Sequence, residues 1–175
     1  MGEVVTREQL IEKAADARTN GRTMAFANGC FDVLHVGHIR YLESAAQEAD
    51  LLIVAVNDDQ SVRSLKGDGR PIMPAEHRAE LVAALRCVDF VTVFPEPTLG
   101  PLLEALRPDV HCKGTDYTVE SVPERAIVEA YGGRTAIVGD PKDHSTRDLL
   151  SRIAGSRAAA PEADGPARPD SVSHW

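Results

Sequence analysis

The apolar positions of this 175-residue chain form short continuous runs that are separated by longer amphipathic stretches. The clearest run covers residues 51–56, where every residue is apolar. A run of this kind predicts a strand that is buried on both faces of a parallel sheet. Five strands are predicted in total, over residues 23–27, 51–56, 90–94, 109–113 and 134–138.

Apolar residues at helical spacing fill the intervals between these strands. Thr6 is a suitable N-cap for a first helix that ends near Asn20 and Gly21. Further helices are predicted over residues 36–48, from Pro74, over residues 99–106, from a capping box at Ser121 to Gly132, and from Ser145 or Thr146 to about residue 153. Residues 64–71, rich in glycine and charge, are predicted to form a mobile flap. Strands that alternate with helices predict an α/β fold, a doubly wound parallel five-stranded sheet with helices on both faces.

The C-terminal end of the chain differs in composition from the rest. From about residue 155, Ala, Pro, Gly, Ser, Asp and Arg predominate, and few apolar side chains precede the terminal Trp175. Such a segment buries too little apolar surface to fold by itself. We therefore expect one domain over residues 1–154 and a disordered tail over residues 155–175.

The charge balance and the cysteines disfavour several classes of function. A formal net charge of −8 argues against non-specific binding to nucleic acid or to an anionic membrane. No apolar run approaches the ~20 residues that a membrane span requires, and no secretory signal pattern is present. Cys30, Cys87 and Cys112 are odd in number and have no zinc-ligand spacing. We expect a cytoplasmic protein with reduced thiols and no metal site of its own.

The most informative chemical signal follows the first predicted strand. His35 and His38 flank Gly37 at the start of a predicted helix. Each histidine alone is explained as well by a loop or N-cap position. Together, two imidazole donors beside the N–H groups and positive dipole end of a helix form a phosphate site. The loops after the other strands converge on the same edge of a parallel sheet, so the sequence predicts chemistry on a nucleotide there.

Four blocks of sequence resemble one enzyme family. They are Asn-Gly-Cys-Phe-Asp at residues 28–32, His-Val-Gly-His at residues 35–38, Leu-Lys-Gly-Asp-Gly-Arg-Pro at residues 65–71 and Lys-Gly-Thr-Asp-Tyr at residues 113–117. In this order they resemble the D-glycero-D-manno-heptose 1-phosphate adenylyltransferase group of the cytidylyltransferase-like superfamily with the His-x-Gly-His signature. The resemblance covers about residues 22–154. It implies a Rossmann-like fold and transfer of a nucleoside monophosphate from a triphosphate to a sugar phosphate, with release of pyrophosphate.

The last block of the chain departs from the pattern of the cytidylyltransferases in this superfamily. Those enzymes usually have Arg-Thr-x-Gly-Ile-Ser-Thr there, whereas this chain has Lys-Asp-His-Ser-Thr-Arg at residues 142–147. Ser145 and Thr146 match the pattern, but the upstream arginine is missing. This departure counts against transfer of a cytidylyl group.

The resemblance assigns roles to residues in the matching blocks. As donors to the reacting phosphates, the expected catalytic residues are His35, His38 and Lys66. Nucleotide binding is expected from Gly29, Cys30, Phe31, His35, His38, Lys113, Gly114, Asp116, Ser145 and Thr146. Binding of the sugar phosphate is expected from Asp32, Lys66 and Arg70 in these blocks, and from Arg78, where the family also has an arginine. Asn57, which follows the second predicted strand, is expected to bind sugar hydroxyls.

Structural explanations compete for several of these residues. Asp32 is equally suited to holding its own loop through an Asx-type turn. Arg78 lies among acidic residues on a predicted helix, where a surface ion pair would explain it. Capping of the last helix explains one of Ser145 and Thr146. A catalytic role for the Cys30 thiol is poorly supported by its surroundings in the sequence.

The expected reaction requires little covalent chemistry from the protein. A sugar 1-phosphate is mostly dianionic at neutral pH because its second pKa is near ~6, so alignment and charge stabilisation replace a general base. We expect ATP and D-glycero-D-manno-heptose 1-phosphate to give ADP-heptose and pyrophosphate, with Mg²⁺ carried by ATP. The alternatives are a guanylyl version, a cytidylyltransferase for glycerol 3-phosphate, and a non-catalytic nucleotide-binding module. A homodimer and no nucleic-acid partner are also expected.

Overall fold

The computed structural model describes residues 1–140 and 150–151. Within these residues the chain folds around one sheet of six parallel strands. The strands are β1 (Glu3–Val4), β2 (Met24–Gly29), β3 (Leu51–Asn57), β4 (Phe90–Phe94), β5 (Val110–Gly114) and β6 (Arg134–Val138). Their spatial order is β1-β4-β3-β2-β5-β6. The chain order therefore reverses between β2 and β5, which is the topological switch point where doubly wound sheets bind ligands.

The sheet has one strand more than the five that the sequence predicts. The additional strand, β1, contains only two residues and both are exposed. It pairs with the start of β4, and the Gly2 N–H donates to the Ala83 carbonyl oxygen. A Cβ at Gly2 would lie 2.7 Å from the Val88 carbonyl oxygen, so only glycine fits. A strand this short and exposed leaves no apolar run in the sequence, which explains the wrong count.

Helices cover both faces of the sheet, as the sequence predicts. They are α1 (Arg7–Thr19), α2 (Val36–Ala46), α3 (Asp59–Lys66), α4 (Ala75–Ala83), α5 (Gly100–Leu106) and α6 (Arg125–Ala130). One core contains Leu42 of α2 and Val82 of α4. The other contains Leu10 of α1, Leu103 of α5 and Val128 of α6. Alternate residues of β3 enter the two cores, and this is why that strand is apolar throughout.

Two local predictions need correction. Residues 64–66, predicted as part of the flap, form the last turn of α3, a helix that was not predicted; Asp58 caps its start by accepting from the Ser61 N–H, and it ends at Gly67, whose φ is 88°. The capping box near residue 121 is formed by Thr118 and Ser121 around a short 3-10 turn, Val119–Ser121, and α6 begins only at Arg125. The first helix agrees with its prediction: Thr6 caps α1 and Asn20 ends it.

Three sequence predictions lie outside the described residues. They are the helix from Ser145 or Thr146, the domain boundary at residue 154 and the disordered tail. Among the helices that are described, none is long and apolar enough to cross a membrane.

Candidate active site

The carboxyl ends of the strands bring most of the predicted site residues to one edge of the sheet. Gly29 ends β2, Asn57 ends β3 and Gly114 ends β5. His35 and His38 follow β2, and Lys66 follows β3 at the end of α3. Ser145 and Thr146 lie outside the described residues. The structure thus gathers the described catalytic candidates where a doubly wound sheet binds its ligand.

His35 and His38 form a stacked pair at the N-terminus of α2. Their ring centroids are 3.9 Å apart with an interplanar angle of 25°. The edge of the pair is supported by Phe31, whose ring lies 5.3 Å from that of His38 in a T-shaped contact. His35 is the N-cap residue of α2 but makes no side-chain capping bond, so neither ring is used as a cap. The half-buried rings therefore lie beside the positive end of a helix.

The imidazole of His38 is neutral at physiological pH. Burial, together with the nearby His35 and the positive charge of Lys66, lowers its pKa to about 4, and burial is the largest cause. Its Nδ1 is buried and has no hydrogen-bond partner among residues 1–140 and 150–151. A neutral imidazole donates one N–H, so His38 is suited to bind a phosphate oxygen as a hydrogen-bond donor.

Lys66 is exposed at the end of α3, where the flap begins. Its charge acts on both His38 and the Cys30 thiol. Burial nevertheless raises the pKa of Cys30, against the opposing charges of Lys66 and Arg78. The Cys30 Sγ lies 4.0 Å from the Asn57 Oδ1. A buried thiol with a raised pKa is a poor nucleophile, so the backbone N–H of Cys30 is its more suitable contribution.

Arg78 is fully buried and connects three segments of the site. Its Nη1 donates to the carbonyl oxygens of Cys30, at 2.5 Å, and Asn57, at 2.8 Å. Its Nε donates to the Met73 carbonyl oxygen at 2.9 Å, and its Nη2 pairs with Asp59 at 2.7 Å. The surface ion pair that competed for Arg78 is therefore wrong, because the side chain is 0% exposed. Direct contact with a substrate phosphate stays a prediction, and the observed bonds make Arg78 a positioning residue.

Asp32 fastens the flap to the loop after β2. Its buried carboxylate accepts the backbone N–H groups of Ile72 at 2.8 Å and Met73 at 3.2 Å. It also pairs with the Arg70 Nε at 3.1 Å. These contacts hold the segment of residues 70–73 to Asp32, and the Asx-type turn within the loop of Asp32 itself stays a prediction. They also place Arg70 against a carboxylate, while its predicted contact with the sugar phosphate stays untested.

Lys113 lies at the point where β2 and β5 stop pairing. Its Nζ donates to the Asn28 Oδ1 at 2.9 Å, and the Glu124 Oε2 lies 3.4 Å away. Burial lowers the pKa of Lys113, and the Glu124 carboxylate opposes that shift. The ring of Tyr117 is centred 5.5 Å from the same nitrogen. Gly114 and Asp116 follow directly, so this block lies at the edge where nucleotide contact is predicted.

Sequence reasoning missed Asn28 and Glu124 as members of this cluster, and it missed Tyr41. The Tyr41 hydroxyl, on α2, donates to the Cys112 carbonyl oxygen at 2.8 Å across the same gap. The contacts of Tyr41 and of Asn28 each join residues that are 71 or more positions apart in the sequence, so no local pattern indicates them. Glu124 is nearer in the sequence to its partner Lys113. For Glu124, the available signal in the sequence was its place in the predicted capping box that begins at Ser121, and that pattern indicated a helix start.

The described part of the chain holds no group of three or more His, Cys, Asp or Glu side chains that could bind a metal ion. The donors at the candidate site are imidazole and ammonium groups of His35, His38 and Lys66. Such groups suit phosphate oxygens, whereas Mg²⁺ prefers oxygen ligands. A magnesium ion that arrives on a triphosphate fits this donor set, because the phosphates themselves then supply its ligands.

Comparison with known proteins agrees with this geometry. The family profile described as Cytidylyltransferase-like matches residues 26–157. A protein called bifunctional protein HldE from Syntrophotalea carbinolica is 45% identical over 147 residues, which cover 84% of this chain and 30% of that protein. The protein of the same name from Pseudomonas aeruginosa (strain LESB58) is 48% identical over 150 residues, which cover 86% of this chain and 32% of that one. The chain spans about a third of the length of these curated relatives.

A solved structure also matches the fold. The lipopolysaccharide core biosynthesis protein from Thermoplasma volcanium GSS1 is similar to this chain with a TM-score of 0.58 and 28% sequence identity. The match covers 67% of this chain and 95% of that protein. The profile match extends over most of the chain and includes the His35–His38 pair. This chain therefore belongs to the cytidylyltransferase-like family and contains a nucleotidyltransferase-like domain.

Proposed function

We propose that this protein transfers AMP from ATP to D-glycero-D-manno-heptose 1-phosphate and forms ADP-heptose and pyrophosphate. The observation that carries the proposal is the stacked His35–His38 pair at the N-terminus of α2, with Lys66 close enough to act on it electrostatically. The four sequence blocks that resemble heptose 1-phosphate adenylyltransferases support the choice of acceptor. The relatives called bifunctional protein HldE and the lipopolysaccharide core biosynthesis protein support the same direction.

The chemistry follows from the donors at the edge. An oxygen of the sugar phosphate attacks the α-phosphorus of ATP, a new P–O bond forms, and the bond to the β-phosphate oxygen breaks to release pyrophosphate. The attacking oxygen is already ionised, so the protein contributes alignment and stabilisation of charge. His35 and His38 donate to phosphate oxygens around the reacting phosphorus, and Lys66 adds a positive charge from the end of α3. Mg²⁺ enters on the triphosphate and neutralises part of its charge.

Arg78 and Asp32 contribute indirectly. Arg78 fixes the carbonyl groups of Cys30 and Asn57, so the loops after β2 and β3 keep their spacing. Asp32 holds the segment that follows Lys66, because its carboxylate accepts the backbone N–H groups of Ile72 and Met73. Both residues are therefore expected to act by keeping the donors in place, which matters because misalignment by an ångström is costly in such reactions.

The test is pyrophosphate release with Mg²⁺, measured for D-glycero-D-manno-heptose 1-phosphate and for glycerol 3-phosphate with each of ATP, GTP and CTP. Signal with the heptose phosphate and ATP is the expected result. A preference for GTP with the same acceptor would mean that the transferred group is GMP and not AMP. A signal only for CTP with glycerol 3-phosphate would identify a cytidylyltransferase instead. Nucleotide binding without turnover in any combination would leave a binding module. The homodimer and the cytoplasmic location stay predictions.

A further inference from the structure

The gap between β2 and β5 is closed by side chains. The two strands pair from Ala25 and Val110 to Ala27 and Cys112, and the ladder stops there. Beyond it, the Lys113 Nζ donates to the Asn28 Oδ1 across the opening. The opening is the switch point of the sheet, where a nucleotide would enter. The Lys113 ammonium is therefore placed at the mouth of the expected nucleotide site.

Glu124 is the second partner of that ammonium. Lys113 has a side-chain exposure of 9% and Glu124 one of 17%, so both charges of this pair are largely withdrawn from water. A buried ammonium is costly unless it is paired. Glu124 is the N-cap residue of α6, yet its side chain makes no capping hydrogen bond. Its carboxylate faces Lys113 instead, so capping does not explain the residue.

The segment before Glu124 fixes its position. Thr118 and Ser121 form a capping box around the short 3-10 turn. The next residue, Val122, is 4% exposed and anchors the segment in the interior. The Glu124 carboxylate is thus held by a rigid connection between β5 and α6. This arrangement differs from that of Glu129 on the same helix, which pairs with Arg125 on the surface.

An ammonium group has three N–H donors. The Asn28 Oδ1 accepts one of those of Lys113, and the Glu124 carboxylate, 3.4 Å away, forms an ion pair with the ammonium. We propose that Glu124 is a positioning residue of the nucleotide site: by pairing with Lys113 it holds the ammonium against Asn28 at the switch point, where the ammonium can donate to the nucleotide. This inference rests on the proposed function.

The test compares Glu124→Gln with Glu129→Gln, a matched change on the exposed face of α6. Binding of ATP in the presence of Mg²⁺ is measured by calorimetry at pH 7.5 and pH 9, and kcat and KM are measured by pyrophosphate release. We expect Glu124→Gln to raise the Kd and KM for ATP at least tenfold with kcat changed less than threefold. Glu129→Gln is expected to stay within twofold of the wild type.

The dependence on pH separates positioning from general support of the fold. The titratable groups around the Lys113 ammonium are Glu124, Tyr117 and His111. Loss of the Glu124 charge removes the influence that opposes the lowered pKa of Lys113. Glu124→Gln should therefore lose more affinity between pH 7.5 and pH 9 than the wild type loses. Glu124→Asp keeps the charge, so its affinity for ATP should be lower than that of the wild type by a similar factor at pH 7.5 and at pH 9.

A double-mutant comparison completes the experiment. Glu124→Gln should have no further effect on the Kd of ATP when Lys113 is already replaced by Met. Equal loss of affinity in both backgrounds, or a wild-type Kd for Glu124→Gln at both pH values, overturns the inference while the proposed function stands. A wild-type protein that binds none of ATP, GTP and CTP overturns the proposed function, and this inference with it.

Discussion

Two sites on this sheet contain buried histidines, and they differ in what surrounds the rings. At the carboxyl edge, His38 stacks on His35 at the start of α2, and the positive charge of Lys66 contributes to lowering its pKa. In the interior, His111 lies in the middle of β5 with 0% exposure and its ring 5.9 Å from that of Phe26. Neither ring nitrogen of His111 has a hydrogen-bond partner among the residues that the structure describes.

The two sites share the property that is often used to recognise an active site. Burial lowers the pKa of His38 to about 4 and that of His111 to about 3. A lowered pKa therefore does not separate them, since it reports removal from water in both cases. The two histidines differ in their exposure to solvent and in their neighbours. His38 is half-buried beside a helix N-terminus and the Lys66 cation, whereas His111 is enclosed by the core. Geometry, and not the pKa, is therefore what favours His35 and His38 as the proposed functional pair.

The largest expected effect is that of His38→Ala. Removing one donor to the transferring phosphate should lower kcat by ~10²-fold or more, as loss of a transition-state donor does in other enzymes. The fold should persist, because the ring makes no capping bond to α2. Pyrophosphate release and thermal melting are the measurements. His77→Ala, an exposed histidine on α4, is the control and should leave kcat unchanged. Turnover of His38→Ala within a few-fold of the wild type would remove His38 from the mechanism.

The next effect is that of Lys66→Ala. Loss of this cation at the end of α3 should lower kcat by about tenfold or more, because a charge directed at the phosphates acts mainly in the transition state. The side chain is exposed, so the melting temperature should not change. Arg63→Ala, in the same last turn of α3, is the matched control. If both variants reduce the rate equally, the effect is one of overall positive charge and Lys66 has no special position.

A smaller effect is expected for His111→Leu, and it concerns stability alone. His111 is a buried imidazole with no hydrogen bond to any residue that the structure describes, so replacing it by an apolar side chain should raise the free energy of unfolding by about 1–2 kcal/mol at pH 7. The kcat should remain that of the wild type. Denaturant unfolding and pyrophosphate release measure the two quantities. A loss of activity without a loss of stability would show that His111 belongs to the site.

The same variant should change the dependence of stability on pH. The pKa of His111 is about 3 in the folded protein and near 6.5 when unfolded, so the unfolded state binds the proton in this interval. The free energy of unfolding of the wild type should therefore fall as the pH decreases from about 6.5 towards 3. His38 acts in the same direction. His111→Leu should lose less stability over this range; parallel curves for the two proteins would contradict the role given to burial.

The smallest effect is a shift in titration. A bound triphosphate places negative charge beside His38, so its pKa should rise when ATP and Mg²⁺ are added. The pKa of His111 should not move. NMR titration of the imidazole resonances with and without ATP distinguishes the two. Equal shifts at both histidines would mean that the nucleotide acts through the whole fold and not at the carboxyl edge.

Much of the fold could be predicted from the sequence because its signals are local. The apolar run at residues 51–56 predicts a strand with two buried faces, and β3 has both. By contrast β1 was missed, because it consists of two exposed residues that pair with β4, a strand far away in the sequence. The helix α3 was also missed, because the glycines and charged residues of the predicted flap overlap its last turn.

The candidate site was predicted unevenly for the same reason. The His35–His38 spacing is a local pattern, so it could be recognised. The partners of Arg78 are three carbonyl groups and the carboxylate of Asp59, and no pattern around residue 78 shows that its side chain is buried among them. The contact of Lys113 with Asn28 joins residues 85 positions apart. Such long-range polar contacts depend on the assembled sheet.

The most direct test of the account follows the α-phosphate of ATP. The protein is incubated with Mg²⁺, D-glycero-D-manno-heptose 1-phosphate and ATP labelled at the α-phosphorus, and the products are separated. The account predicts label in a nucleoside diphosphate sugar, formed by the wild type and by His111→Leu but reduced by ~10²-fold in His38→Ala. Label that stays in ATP or appears only in ADP or AMP, or equal transfer by His38→Ala, would contradict it.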